Sequence, residues 1–210
     1  MTDSASDQVS KTDARVEVVE KTTPYKGYFQ LDRYRLRHRT FEGGWTGEMQ
    51  REVFERGHAA AVLPYDPSRD TVVLIEQFRV GALAAGLEPW LLEVIAGIIE
   101  PGESAEGVVR REALEEAGCE ISEVLEIGTF ILSPGGCSET LAMFCARTDS
   151  RGLGGVHGLT EEHEDIRVQI LPWTEALARL EGGQIVNANA VLALQWLALN
   201  RDSLRRRWTA

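Results

Sequence analysis

Gly97-Ile-Ile-Glu-Pro-Gly-Glu-Ser-Ala-Glu-Gly-Val-Val-Arg-Arg-Glu-Ala-Leu-Glu-Glu-Ala-Gly-Cys119 reads as a turn followed by a short helix that carries acids along one side. Ser104 stands where a cap is wanted, Val109, Ala113 and Ala117 recur every fourth residue, and Gly118 suits a left-handed exit. At 3.6 residues per turn, Glu112 and Glu116 are offset by about 40° around the axis, with Glu115 beside them. Like charges at this spacing repel. Arg111, four residues before Glu115, offsets one of them, so Glu112 and Glu116 are expected to lack a local partner. Spacing alone favours a solvated helix face, the usual fate of Glu-rich helices. The other reading is a site for a hard cation such as Mg²⁺ or Mn²⁺, which takes a few carboxylates, keeps several waters and then meets substrate phosphate.

The wider pattern separates the two. Gly97, five residues, Glu103, seven residues, Arg111-Glu112, two residues, Glu115-Glu116, one residue, then Gly118 resembles the Nudix box at every fixed position. Ala113 and Cys119 fill two apolar positions with smaller side chains than usual, and neither carries chemistry. The resemblance implies an α/β protein, an α/β/α sandwich with a mixed sheet, that hydrolyses a nucleoside diphosphate linked to another group. It implies further that Glu112, Glu116 and the backbone carbonyl of Ala96 hold the metal, with Glu115 and its partner Arg111 in support.

A general base is usually drawn from outside the box. Gly158-Leu-Thr-Glu-Glu-His-Glu-Asp165 is an acid-rich loop before a strand, which composition alone reads as a solvated loop. It resembles the Glu-x-Glu-Asp loop of the ADP-ribose pyrophosphatase branch. On that likeness Glu162 is the base and Glu164 a further metal ligand, with Glu161 or His163 left open as the base because a loop leaves geometry undetermined. Ser133-Pro134-Gly135-Gly136 is by turn chemistry a tight turn. Pro134, sixteen residues beyond Gly118, also sits where ADP-ribose hydrolases of this family carry a proline, and Glu139 is then similar to a ligand of the terminal ribose. Arg51, Arg56 and Arg79 are cations beside strand segments and Tyr28-Phe29 offers aromatic faces, suited to stacking an adenine and, at Arg79, to pairing with phosphate. Core aromatics and surface arginines are the plainer alternative. The resemblance implies that the N-terminal unit is exchanged in a homodimer, bringing Tyr28, Phe29, Arg51 and Glu52 to the partner's site, with Ile98 lining the pocket.

The rest of the chain bounds these expectations. Its 210 residues, 43% apolar, suffice for one substantial core and a small accessory unit. Residues 1–55 are expected to form a tail and a small antiparallel β domain, and 56–210 the hydrolase domain. Val16–Val19, Gly27–Leu36 and Gly47–Phe54 read as strands, with a hairpin turn at Phe41–Gly44. Ala59–Leu63, Thr71–Ile75, Ile121–Ile131, Thr140–Ala146 and Ile166–Leu171 follow as strands, then helices at Thr174–Glu181 and Ala188–Asn200. No apolar stretch reaches the length of a membrane span and Met1–Glu20 lacks a signal-peptide core, so a cytoplasmic protein without membrane contact is expected. Cys119, Cys137 and Cys145 show no paired spacing and the four histidines no zinc spacing. A net charge of −11 argues against nucleic acid as a partner, and Arg205-Arg206-Arg207 suits the end of a terminal helix. The expected activity is Mg²⁺-dependent, with Mn²⁺ as the other candidate, splitting ADP-ribose into AMP and ribose 5-phosphate. Another nucleoside diphosphate sugar, a dinucleotide, or a non-catalytic ADP-ribose sensor are the alternatives.

Overall fold

A computed structural model describes residues 13–159 and 163–209. Contacts divide the chain into two units, residues 1–56 with 132–139, and residues 57–131 with 140–210.

The first unit is a three-stranded antiparallel sheet, β1 (Val16–Lys26), β2 (Gln30–His38) and β3 (Met49–Glu55), in the order β1-β2-β3. Strand β1 runs well past the expected Val16–Val19, because its partner β2 continues to pair with it as far as Lys26. Gly27-Tyr28-Phe29, expected inside a strand, instead forms the bend between the two. All eleven residues of β1 are exposed. At the middle of the sheet sits a buried carboxylate, Asp32, held by Lys21 Nζ at 2.8 Å and by Thr23 and Gln30. The segment 132–139 belongs here through backbone pairing: Phe54 N donates to Gly136 O (2.8 Å), and Ser138 Oγ bonds the Glu55 carboxylate.

The second unit is built on a sheet in the order β10-β11-β5-β4-β9-β8, comprising β4 (Ala59–Asp66), β5 (Thr71–Phe78), β8 (Ile121–Ile131), β9 (Thr140–Thr148), β10 (Gly155–His157) and β11 (Ile166–Pro172). Strands β4 and β9 are parallel and the remaining pairs antiparallel, so the sheet is mixed. Strand β4 is buried along its whole length, as a central strand covered on both faces must be. Its alternate residues sort into two cores. Ala59, Ala61, Leu63 and Tyr65 face α3 (Trp173–Glu181) and α4 (Ala188–Thr209) through Trp173, Leu194, Leu197 and Trp208. Ala60 and Val62 face α2 (Ala105–Ala117) through Val108, Val109, Ala113 and Ala117. Helices therefore cover both faces, as in an α/β/α sandwich. Helix α4 runs nine residues beyond the expected end at Asn200, because Leu204 and Trp208 keep the apolar stripe going past the polar Asn200–Ser203. Among the described residues no helix is long and apolar enough to cross a membrane.

Strands β4 and β5 pair only at their shared turn, at Tyr65/Val72 and Asp66/Thr71. Beyond it they separate, and two short strands missing from the sequence reading fill the gap: β6 (Trp90–Glu93) pairs with β5 and β7 (Ile95–Ile98) with β4. A short helix, α1 (Val80–Ala84), links β5 to β6. The run Trp90–Ile99, apolar but for Glu93 and Gly97, hid the break at Val94, where the chain steps from one neighbour to the other.

Candidate active site

Helix α2 begins as the sequence requires. Ser104 is extended and accepts from Gly107 N at 3.1 Å, and Gly118 closes the helix at φ 56°, where a Cβ would lie 3.0 Å from the His157 ring. Val108 and Val109 are fully buried, worth about 3–6 kcal/mol together, and hold the helix against the sheet. This fixes which acids turn inward. Glu116 lies on the buried side with Ala113 and Ala117 and is 4% exposed, while Glu112 and Glu115 are half-buried.

Glu116 Oε2 accepts from Ala96 N on β7 at 3.2 Å. Burial pushes its carboxyl up to about 8; the Ala96 N–H opposes this, and the charges of Glu112 and Glu164 add to the rise. Glu112 is raised too, by burial, against the pull of Arg111 and with Glu115 and Glu164 contributing. Glu164 is held by its own loop, where Leu159 N donates to its Oε2 at 3.3 Å and its N donates to Leu159 O at 3.2 Å.

Arg111 departs from the expected pairing. Its Nη1 reaches Glu115 at 2.9 Å, as the i,i+4 spacing suggests, but also Glu112 at 2.8 Å, and its Nε lies 3.4 Å from Glu103. Glu112 is therefore not unpaired. A long guanidinium bridges neighbouring carboxylates that helical spacing treats one at a time. Gly97 has its reason here. A Cβ at that position would fall 1.8 Å from Glu112 Oε1, so the strand is bare where the carboxylate crosses it.

These residues fit a divalent cation. A carboxylate pushed toward neutrality by burial, with two neighbouring acids adding to it, becomes a stable anion once positive charge is supplied. Among the described residues no group of three or more acidic, His or Cys side chains is arranged to hold a metal ion. Glu162 and Glu161, with the base assignment, lie outside the described residues, and His163 is exposed with φ 56°.

Arg79, expected beside phosphate, is bonded to Glu93, Nε at 3.0 Å and Nη2 at 2.8 Å from Oε2. Ile98 closes β7 opposite Ala59 and is half-buried. In the first unit, Phe29 is edge-on to both Tyr28 (4.7 Å) and Phe54 (5.1 Å), and the Arg56 guanidinium lies 5.4 Å over its ring. Arg56 also approaches the buried Glu139 at 3.5 Å. Tyr28 is 88% exposed, an aromatic face open to stacking. Arg51 is exposed and bonded to Gln50 O, and Glu52 pairs with Arg33 across the strands. Ser133, Pro134 and Gly135 form an exposed turn in which Gly136 N and Cys137 N both bond Ser133 O.

A model of the NUDIX domain matches residues 55–194, which span α2, its acids and the sheet beneath. The chain belongs to the Nudix family. It is 49% identical over 193 residues to an ADP-ribose pyrophosphatase of Escherichia coli K12, covering 92% of each chain. It is 41% identical to that of Haemophilus influenzae, covering 92% of this chain and 90% of the other. Among solved structures, an "ADP compounds hydrolase" shares this Nudix fold with a TM-score of 0.68 at 22% identity, over 94% of this chain and 98% of that one.

Sequence reasoning missed Glu93, Gln77 and Asn187. Glu93 is a lone acid in an apolar run, and its partners lie 14 residues before and 94 residues after it, so no local spacing marks the group.

Proposed function

We propose that this Nudix protein hydrolyses the pyrophosphate of ADP-ribose to AMP and ribose 5-phosphate, using Mg²⁺. The observation that carries the reading is the buried Glu116 carboxylate bonded to the Ala96 N–H, beside Glu112 on the same helix, in a chain nearly half identical over 92% of its length to an ADP-ribose pyrophosphatase. Glu116, Glu112, Glu164 and the Ala96 carbonyl are the groups to hold the cation, which when bound lowers the pKa of water and neutralises charge on pyrophosphate. Arg111, bonded to both, orients Glu112 and Glu115. Glu162 is assigned as the base that takes the proton from water as it attacks phosphorus. Tyr28, Phe29, Arg51, Glu52, Arg56, Ile98, Ser133, Pro134, Gly135 and Glu139 are assigned to the adenosine and terminal ribose. The open Tyr28 ring and the buried Glu139 carboxylate are the groups suited to a base and to sugar hydroxyls.

An exchanged homodimer in the cytoplasm belongs to the same reading. The edge strand β1, exposed at every position, supports the dimer, and light scattering checks it. The deciding experiment is ADP-ribose turnover with and without Mg²⁺, alongside Glu116→Gln and Glu162→Gln. Absence of turnover by the wild type, with rapid turnover of another nucleotide sugar, would replace the substrate. Near-normal activity in Glu162→Gln would move the base to Glu161 or His163. Hydrolysis in ¹⁸O-labelled water identifies the phosphorus attacked.

A further inference from the structure

Glu93 closes β6 and is 5% exposed. A carboxylate so placed persists only if its oxygens are hydrogen-bonded, and both are. Oε2 takes Nε and Nη2 of Arg79, with Gln77 Nε2 more distant at 3.4 Å, and Oε1 takes Asn187 Nδ2 at 2.9 Å. Asn187 is itself fixed, because its Oδ1 accepts from Ala190 N at 3.0 Å in the first turn of α4. The chain of contacts thus runs from a helix end through an amide and a buried acid to a guanidinium.

Arg79 is held along one edge only. Of its five N–H donors, the contacts to Glu93 use one on Nε and one on Nη2. Among the described residues Nη1 has no hydrogen-bond acceptor, and the side chain is 45% exposed. Glu93 stands opposite Ile75 in the β5–β6 register, and Ile75 packs into the core beneath α2 with Val108 and Val109, so the ion pair lies on the face of the sheet that α2 covers. A simple surface ion pair would need neither a buried acid nor a helix-capping amide behind it.

We propose that Glu93 is a positioning residue that holds Arg79 with its outer N–H edge toward a phosphate of the nucleoside diphosphate bound at α2. This rests on the hydrolase reading above. The Nη1–Nη2 edge matches two phosphate oxygens, and a guanidinium already fixed loses less side-chain freedom when the anion arrives than a free one does. Asn187 makes the orientation of Glu93, and so of Arg79, dependent on the start of α4.

The test is a double-mutant cycle on ADP-ribose affinity, by calorimetry in EDTA, with steady-state kcat/KM in Mg²⁺ beside it. Glu93→Gln keeps the size and the Asn187 contact but turns away from Arg79, and is expected to weaken binding by about tenfold. Arg79→Ala should weaken it by at least as much, and adding Glu93→Gln to Arg79→Ala should change it by less than about twofold. Equal weakening by Glu93→Gln in both backgrounds, or wild-type affinity for Glu93→Gln, overturns the proposal. If Glu93→Gln does not fold, Arg79→Lys replaces it. It retains the charge without the fork, and wild-type binding by it overturns the proposal, whereas a loss of about tenfold with an unchanged Tm upholds it. A wild type that neither binds nor hydrolyses ADP-ribose defeats the substrate reading instead, and the cycle is then run on the nucleotide sugar that it does hydrolyse.

Discussion

Replacing Gly97 by alanine separates folding from catalysis. The added Cβ would lie 1.8 Å from Glu112 Oε1, 2.3 Å from its Cδ and 2.5 Å from its Cγ. All three are atoms of one flexible side chain, and the backbone of Gly97 is not in the left-handed region, so Glu112 yields while the strand stays. Restoring ordinary contact at 3.4 Å requires the carboxylate oxygen to move by 3.4 − 1.8 = 1.6 Å. A misplacement of about 1 Å at a reacting centre costs on the order of 100-fold, or about 2.7 kcal/mol of transition-state stabilisation. Stability should change little, because removing glycine from a strand also removes about 0.5–1 kcal/mol of unfolded-state freedom. The expected result is an ADP-ribose kcat/KM lowered about 100-fold with a Tm within about 3 °C of wild type. Wild-type turnover by Gly97→Ala would show that Glu112 is not needed where it stands. A large fall in Tm would show that the strand, not the carboxylate, had been displaced.

Three further outcomes are expected. Ser104→Ala removes the bond to Gly107 N and should cost about 1 kcal/mol in urea unfolding with kcat unchanged, since the cap lies two turns from the acids. Leu197→Ala empties a fully buried position under β4 and should cost about 2–5 kcal/mol by the same measurement. Asp70→Asn tests a pH dependence. Hydrogen bonding to Arg201 holds the Asp70 carboxyl below the usual range against the opposing effect of burial, helped by Tyr65 OH at 2.7 Å. A carboxyl with a lowered folded pKa stabilises above its unfolded value, about 3.9, and loses that stabilisation as pH falls through the folded value. The gap between wild type and Asp70→Asn should thus be about 2 kcal/mol at pH 7 and shrink below about pH 4, as followed by urea unfolding across that range.

What could be read from the sequence was whatever is local and periodic. Ser104, the apolar stripe of α2 and Gly118 mark the helix and both its ends, and the acids follow from its pitch. Short apolar runs separated by the turn residues Asp66–Asp70 gave β4 and β5. Strands β6 and β7 escaped because Trp90–Ile99 is apolar but for Glu93 and Gly97 and carries no turn residue at the break, and the break at Val94 is forced by the parting of β4 and β5 rather than by any residue there. Helical spacing assigned Arg111 one partner where its reach gives it several. Phe54 and Gly136 join across 82 positions, and Glu93 meets Asn187 across 94, distances at which periodicity carries no information.

Because residues 132–139 belong with the first unit, the chain passes between the two units three times, at 56/57, 131/132 and 139/140. No single cut yields both units whole. Removing the first 56 residues would leave 132–139 without the backbone partner it has at Phe54, stranding a loop in the middle of the remaining protein. The small sheet is consequently a poor candidate for exchange as a contiguous cassette. A lineage that replaced it would have to alter two distant stretches of its gene together, one at the beginning and one between β8 and β9.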